Sequence, residues 1–407
     1  MADFYQTGVV ATLHRMVRTG HERLEKELAD YTAQRPISLI LPALYAEFER
    51  EALPAIIETL VEVSYLSEIV VPLDRADAGQ FKKARAMLSK LPTKTVVIWN
   101  DGPRMKRLYT TLLENAFPIG EPGKGRSCWI SFGYILARNR SQVIALHDCD
   151  ILTYDREFLA RLCYPVVNPN ISFEFCKGYY ARVKERMHGR VTRLLMTPLI
   201  RSLQQLLGYH PFLVFLDSFR YPLAGEFCMR TDLARVNRIP ADWGLEVGVL
   251  AEIYRNCSVK RVCQAELCDN YEHKHQPLSP GDPTKGLMKM AVDIAKTLFR
   301  TLSAEGVVFS PGFFNSLQST YIRTAEDTIT RYSADALIDG LLFDRHEEEA
   351  AVETFAQAIR IAAESFTQDP LGIPLIPNWS RITAALPGFL EELEEAVNAD
   401  NEEVLAP

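Results

Sequence analysis

Between Pro36 and Leu146 short, mainly apolar runs alternate with helical stretches, without an internal sequence repeat. The apolar runs are Pro36-Ile-Ser-Leu-Ile-Leu-Pro42, Ser67-Glu-Ile-Val-Val-Pro72, Lys94-Thr-Val-Val-Ile-Trp99 and Gln142 to Leu146. Their length, their β-branched residues and the prolines that stop two of them read as strands. The stretches between have helical spacing: Leu53, Ile56, Ile57, Leu60 and Val61, then Phe81 to Leu91, Pro103 to Glu114 and Ser127 to Arg138. Strands and helices alternating at this spacing predict an α/β fold, a mostly parallel sheet covered on both faces.

The remainder is organised differently. Residues 1–35 read as a helical lead-in. Phe173-Glu-Phe-Cys starts a stretch that alternates like a strand, Val191 to Leu207 has the pattern of a long amphipathic helix, and Val259 to Leu267 reads as a further strand. Beyond Pro283 the pattern is almost wholly helical, over 290–312, 321–344 and 345–368. Arg345-His-Glu-Glu-Glu-Ala350 reads as a solvent-facing helix start, where acids suit the dipole. The acidic segment from Glu391 to Glu403 reads as a frayed helix and tail.

Composition narrows the function. A net charge of -7 gives no general reason to hold DNA or RNA. No apolar run approaches the ~18 residues of a membrane span, and Met1-Ala-Asp-Phe-Tyr5 has no secretory pattern. The 8 cysteines contain no Cys-x-x-Cys pair, which favours buried free thiols in a reducing compartment, the cytoplasm.

The fourth strand runs into Asp148-Cys149-Asp150. Alternation sends both carboxylates to one side, at the strand end where open α/β sheets bind ligands. The isolated motif reads either as a solvated turn or as hard oxygen ligands for Mg²⁺ or Mn²⁺ carrying a diphosphate. Other segments favour the second reading. Glu121-Pro-Gly-Lys-Gly-Arg126 opens a helix, with Lys124 as a cation for phosphate and no Walker pattern. Leu41-Pro-Ala-Leu-Tyr-Ala-Glu47 closes the first strand, where Glu47 reads as a hydroxyl acceptor or a surface glutamate, and Asp74 follows the second strand. Gly189-Arg-Val-Thr192 is either a solvated basic helix start or an anion site. Glu226 and Glu246 each sit beside glycine in apolar surroundings, suited to sugar hydroxyls, and Tyr271-Glu-His-Lys-His275 puts His273 and His275 on one face of a strand-like segment.

In this order the motifs resemble those of the glucosyl-3-phosphoglycerate synthases, over residues 36–280. The matches are Pro-Ala-Leu at 42–44 with Glu47, Pro-Gly-Lys-Gly at 122–125, Asp-Cys-Asp at 148–150, Gly-Arg-Val-Thr at 189–192, Gly-Glu at 225–226, Gly-Leu-Glu-Val-Gly at 244–248, and His273. The resemblance implies the A-type glycosyltransferase fold, Rossmann-like, with residues 36–170 binding the nucleotide sugar, 171–285 holding the acceptor and completing the metal site, and 286–407 a helical extension. It assigns Pro42, Ala43, Leu44, Glu47, Asp74, Lys124, Asp148 and Glu246 to the donor, and Gly189, Arg190, Thr192 and His275 to 3-phosphoglycerate. Asp150 and His273 become ligands of Mg²⁺ or Mn²⁺, and Lys124, Asp148, Asp150 and Glu246 the catalytic set. A homodimer is implied, without nucleic acid or membrane partners.

The chain departs from the family pattern at Cys149, where serine is frequent, at Tyr45 and His275, where asparagine is expected, and in its longer C-terminal helices. The implied reaction moves glucose from UDP- or GDP-glucose to the 2-hydroxyl of 3-phosphoglycerate with retention. The alternatives are a mannosyl donor, another acceptor on the same fold, and a sugar nucleotidyltransferase, which shares the glycine-rich loop, lysine and paired aspartates.

Overall fold

The structure, a computed structural model, describes residue 6 and residues 8–17, 21–274, 276–372 and 375–405. Among the described residues nine strands form one sheet: β1 (Ala11–Leu13), β2 (Ile37–Ile40), β3 (Ala43–Leu44), β4 (Leu66–Asp74), β5 (Thr95–Trp99), β6 (Val143–Leu146), β7 (Phe175–Tyr180), β8 (Phe227–Arg230) and β9 (Val262–Cys268). The order is β1-β9-β7-β8-β6-β2-β4-β3, with β5 also on β4. All pairings are parallel except those of β8, which runs antiparallel to β6 and β7. The central strands β2 and β6 are buried at every position, as a sheet covered on both faces requires.

Each face has its own core. Helices Glu22–Thr32, Ala52–Leu60, Ala78–Leu88 and Arg156–Val167 cover one, burying Leu28, Ile56, Phe81 and Phe158 against Leu39, Val71 and Ala145. Lys124–Arg138, Leu245–Asn256 and the C-terminal helices Gly286–Ala304, Arg345–Gln368 and Phe389–Leu405 share the other, where Trp129, Phe299, Phe355 and Leu393 join Ile40, Val70 and Ile144 in a continuous cluster.

Several local expectations change. Among the described residues of the lead-in the helix is Glu22–Thr32, while Ala11–Leu13 pairs with Cys263–Ala265. Residues 191–207 start as a π-helical turn, Val191–Met196, before the α-helix Thr197–Leu207. The next two C-terminal helices are Gly286–Ala304 and Pro311–Asp339, while Arg345–Gln368 falls where expected. The acidic end is not frayed, since Phe389–Leu405 is a helix docked on β5. There the Asn401 amide accepts from Val97 N at 3.0 Å and donates to Val97 O at 2.8 Å, closing that edge of the sheet. All 8 cysteines are free and buried.

Candidate active site

The predicted site residues that the structure describes gather near the ends of the sheet strands. β3 pairs Ala43 with Leu73 and Leu44 with Asp74, so the Pro42–Leu44 segment and Asp74 meet through backbone pairing. Asp74 is buried and accepts from Asn100 Nδ2 at 3.0 Å and from Ser127 Oγ. Tyr109 fixes Asn100 through a 2.6 Å hydrogen bond to Oδ1. Burial pushes the Asp74 carboxyl above its ordinary range, against the lowering effect of Ser127, Asn100 and Arg126. Glu47 lies in the 3₁₀ turn Tyr45–Glu49, buried, with Oε2 lacking a hydrogen-bond partner among the described residues.

Lys124 stands at the first position of its helix. Gly125 beside it lets that helix approach Pro240, because a Cβ would stand 2.1 Å from the Pro240 carbonyl oxygen. The glycine therefore serves contact within the chain. Lys124 Nζ lies 2.6 Å from Asp148 Oδ1 and 3.1 Å from Glu246 Oε1. Burial opposes the Lys124 charge, but Asp148 and Glu246 outweigh it and hold the ammonium well above its ordinary pKa. Burial likewise opposes the Asp148 charge, and Lys124 more than offsets it, leaving that carboxyl below its usual range.

β6 ends two residues before Asp148, yet alternation persists: Cys149 is buried in the core, and Asp148 and Asp150 remain partly open. Asp150 Oδ1 faces His273 Nδ1 at 3.8 Å. Residues 271–274 form no strand, contrary to expectation. Their backbone is pinned instead by Tyr271 N to Ala181 O and Leu152 N to Glu272 O, both at 2.9 Å, which turns His273 toward Asp150. Among the described residues no group of three or more His, Cys, Asp and Glu can hold a metal. An Mg²⁺ or Mn²⁺ ion here would take one carboxylate and one imidazole from these residues and would need further oxygen ligands from elsewhere.

Glu226 is fully buried below this group, accepting from Tyr180 OH at 2.7 Å and Tyr271 OH at 2.9 Å. Burial, then the Asp148 charge, raises its pKa. The two phenol rings stack at 3.9 Å, and Tyr271 meets the His273 ring at 5.2 Å. Each Glu226 oxygen is thus bound by a tyrosine, one from β7 and one from the segment after β9, at a carboxylate expected to contact sugar hydroxyls. Sequence reasoning missed the tyrosines, and it missed Lys177, whose buried ammonium has no hydrogen-bond partner among the described residues. Burial pushes Lys177 down to about 8, with Glu246 and Glu226 pulling the other way. A lysine on a strand flanked by apolar residues was the available signal.

Gly189, at φ +74, sits beside Tyr221, whose ring packs 5.1 Å from Tyr180. Arg190 and Thr192 follow at the helix start, and the buried Thr192 hydroxyl has no hydrogen-bond partner among the described residues. Arg190 is bound by Glu347 and Glu348 of the helix Arg345–Gln368. That helix start was expected to face solvent, but Glu348 is buried. His275 lies outside the described residues.

No protein-family model matches the chain. Two curated relatives do, along nearly their whole length. The glucosyl-3-phosphoglycerate synthase of Persephonella marina is 52% identical over 401 residues, covering 98% of this chain and 99% of the relative. That of Methanococcoides burtonii is 41% identical over 407 residues, covering 98% of each. Among solved structures, the glucosyl-3-phosphoglycerate synthase of Mycobacterium tuberculosis with phosphoglyceric acid aligns at TM-score 0.53 and 21% identity, covering 74% of this chain and 90% of that one. The same enzyme with Mn²⁺, UDP-glucose and phosphoglyceric acid aligns at 0.53 and 20%, covering 74% and 89%. The solved structures establish the A-type fold, and the curated relatives establish kinship: the chain belongs to the glucosyl-3-phosphoglycerate synthase family of retaining glycosyltransferases.

Proposed function

We propose that this enzyme transfers glucose from a nucleoside diphosphate donor to the 2-hydroxyl of 3-phosphoglycerate with retention, giving glucosyl-3-phosphoglycerate. The observation that carries the reading is Lys124 bridging Asp148 and Glu246 beside the Asp150–His273 pair. A cation held charged at a helix start meets the charge that develops on a departing diphosphate. Asp150 and His273 would hold Mg²⁺ or Mn²⁺, which supplies Lewis-acid neutralisation of that diphosphate when bound.

The Pro42–Leu44 segment, Glu47 and Asp74 take the nucleotide end; the orphaned Glu47 oxygen supports that assignment by its need for a donor such as a ribose hydroxyl. Asp148 supports the nucleotide end, and Glu246 faces the transferred hexose. Gly189, Arg190 and Thr192 hold the acceptor anion, so that its 2-hydroxyl is oriented at the anomeric carbon. Attack from the leaving-group side delivers the hydroxyl proton to a diphosphate oxygen and keeps the anomeric configuration. The free thiols support a cytoplasmic setting, and among the described residues no helix is long and apolar enough to cross a membrane. We also propose a homodimer without nucleic-acid partners.

The test is product formation from 3-phosphoglycerate with UDP-glucose, GDP-glucose or GDP-mannose, each with Mg²⁺, Mn²⁺ or EDTA. A metal-dependent phosphorylated glucosylglycerate from a glucose donor is expected. Product only from GDP-mannose would move the assignment to mannosyl transfer, and pyrophosphate release from a nucleoside triphosphate and sugar phosphate would move it to a nucleotidyltransferase.

A further inference from the structure

The arginines of the proposed acceptor loop are already engaged by carboxylates from a distant part of the chain. Arg190 Nε donates to Glu348 Oε1 at 2.9 Å, and Arg190 Nη2 donates to Glu347 Oε2 at 2.7 Å. Arg193 donates from Nη1 to Glu348 Oε2 at 2.8 Å and from Nη2 to Glu348 Oε1 at 3.3 Å, while its Nε donates to His188 O at 2.9 Å. Arg186 Nη1 reaches Glu347 Oε2 at 3.3 Å. Both glutamates occupy the first turn of Arg345–Gln368, which Asp344 caps through Glu347 N.

The two carboxylates differ in kind. The Glu348 side chain is 6% exposed, and its two oxygens are shared by two guanidinium forks, so it locks both arginines from behind. The Glu347 side chain is 46% exposed, and the oxygen that meets Arg190 is also the one that meets half-exposed Arg186. A pair of that kind is readily exchanged for a stronger anion. Two residues along, the Thr192 hydroxyl has no hydrogen-bond partner among the described residues.

We propose that Glu348 is a positioning residue for acceptor recognition, fixing the forks of Arg190 and Arg193, and that Glu347 is an internal anion which the phosphorylated acceptor displaces from Arg190. The C-terminal helices then set acceptor affinity through two adjacent glutamates, one retained and one exchanged. The inference rests on the reading of Gly189, Arg190 and Thr192 as the acceptor site.

The experiment measures KM for 3-phosphoglycerate, KM for the donor, kcat, and inhibition by inorganic phosphate, in the full chain and in E347Q, E348Q and R190A. Removing the Glu347 charge removes a competitor worth a factor of about two to five. E347Q is therefore expected to lower both the acceptor KM and the phosphate inhibition constant by that factor, with donor KM and kcat unchanged. E348Q is expected to raise the acceptor KM by about tenfold or more, because both arginines lose their orientation, with donor KM unchanged. R190A separates the two readings. Unchanged acceptor KM in R190A would remove the acceptor site itself. A raised acceptor KM in R190A with no change in E347Q would keep that site and overturn the displaced-anion proposal. Should E348Q fail to fold, E348D takes its place, with a raised acceptor KM and unchanged donor KM expected and an unchanged acceptor KM overturning the positioning role, while E347Q decides the displaced-anion role by itself. A merely structural role for Glu348 would lower Tm without the split between acceptor and donor KM.

Discussion

Gly225 leaves the space in which Asp148 meets Lys124. A Cβ at Gly225 would stand 2.5 Å from Asp148 Oδ2 and 2.8 Å from Lys124 Nζ. The backbone there is not in the left-handed region, so alanine introduces no φ strain and the insult falls on the ion pair. G225A is expected to fold, with Tm close to that of the parent, and to lose about a hundredfold in kcat/KM, the scale of a misplacement near 1 Å. Activity within twofold of the parent would mean that the Lys124–Asp148 contact is not part of the transfer.

Metal dependence should be separable from folding. Asp150 and His273 are each about a quarter exposed and approach each other at 3.8 Å. EDTA is expected to abolish turnover while leaving Tm unchanged. H273A should raise the Mn²⁺ concentration for half-maximal activity by about tenfold, with rescue at high Mn²⁺, and D150A should resist such rescue. Identical Mn²⁺ titrations for parent and H273A would remove His273 from the ligand set.

The buried Lys177 ammonium is a cost to the fold with a defined pH signature. Its pKa is lowered to about 8 from an ordinary value of 10.5, so between those values the folded chain binds fewer protons than the unfolded one. Stability from this group therefore rises with pH through that window, and the penalty is fully present below about 8. K177M is expected to raise stability at pH 7 by roughly 1–3 kcal/mol, with the gain shrinking as pH climbs toward 10. Chemical denaturation at several pH values reads this. A gain that is constant with pH, or a loss at pH 7, would contradict it.

At the sheet edge, N401A removes the side chain that satisfies both Val97 N and Val97 O. Stranding these buried backbone groups should cost about 2–3 kcal/mol. Hydrogen exchange at the Val97 amide should quicken in this variant, and unchanged protection there would show that the C-terminal helix is not closing the sheet.

What was legible in the sequence was whatever local pattern encodes. Apolar runs marked β2, β4, β5 and β6, and their ends placed Asp74 at the end of β4, the two aspartates after β6 and Glu47 in the turn that follows β2 and β3. Contacts made across hundreds of residues left no local mark. β1 is three residues long and is a strand only because Cys263–Ala265 lies beside it. The acidic end looked solvated, yet Asp400 meets Arg104 at 2.6 Å and Asn401 reaches Val97. Glu348 likewise sits in a run of three glutamates whose pattern reads as surface, and only the arrival of Arg190 and Arg193 makes one of them a buried counter-ion. Lys177 and the Tyr180–Tyr271 stack belong to the same class, polar groups whose role depends on neighbours from β8 and the loop beyond β9.

The most direct test follows the anomeric proton by NMR while the enzyme converts 3-phosphoglycerate and UDP-glucose or GDP-glucose with Mn²⁺. The account predicts an α-linked glucosyl group on the 2-hydroxyl, formed from the α-linked donor, at a rate that falls sharply in R190A and vanishes with EDTA. A β-linked product, or glucose placed elsewhere than the 2-hydroxyl, would contradict it.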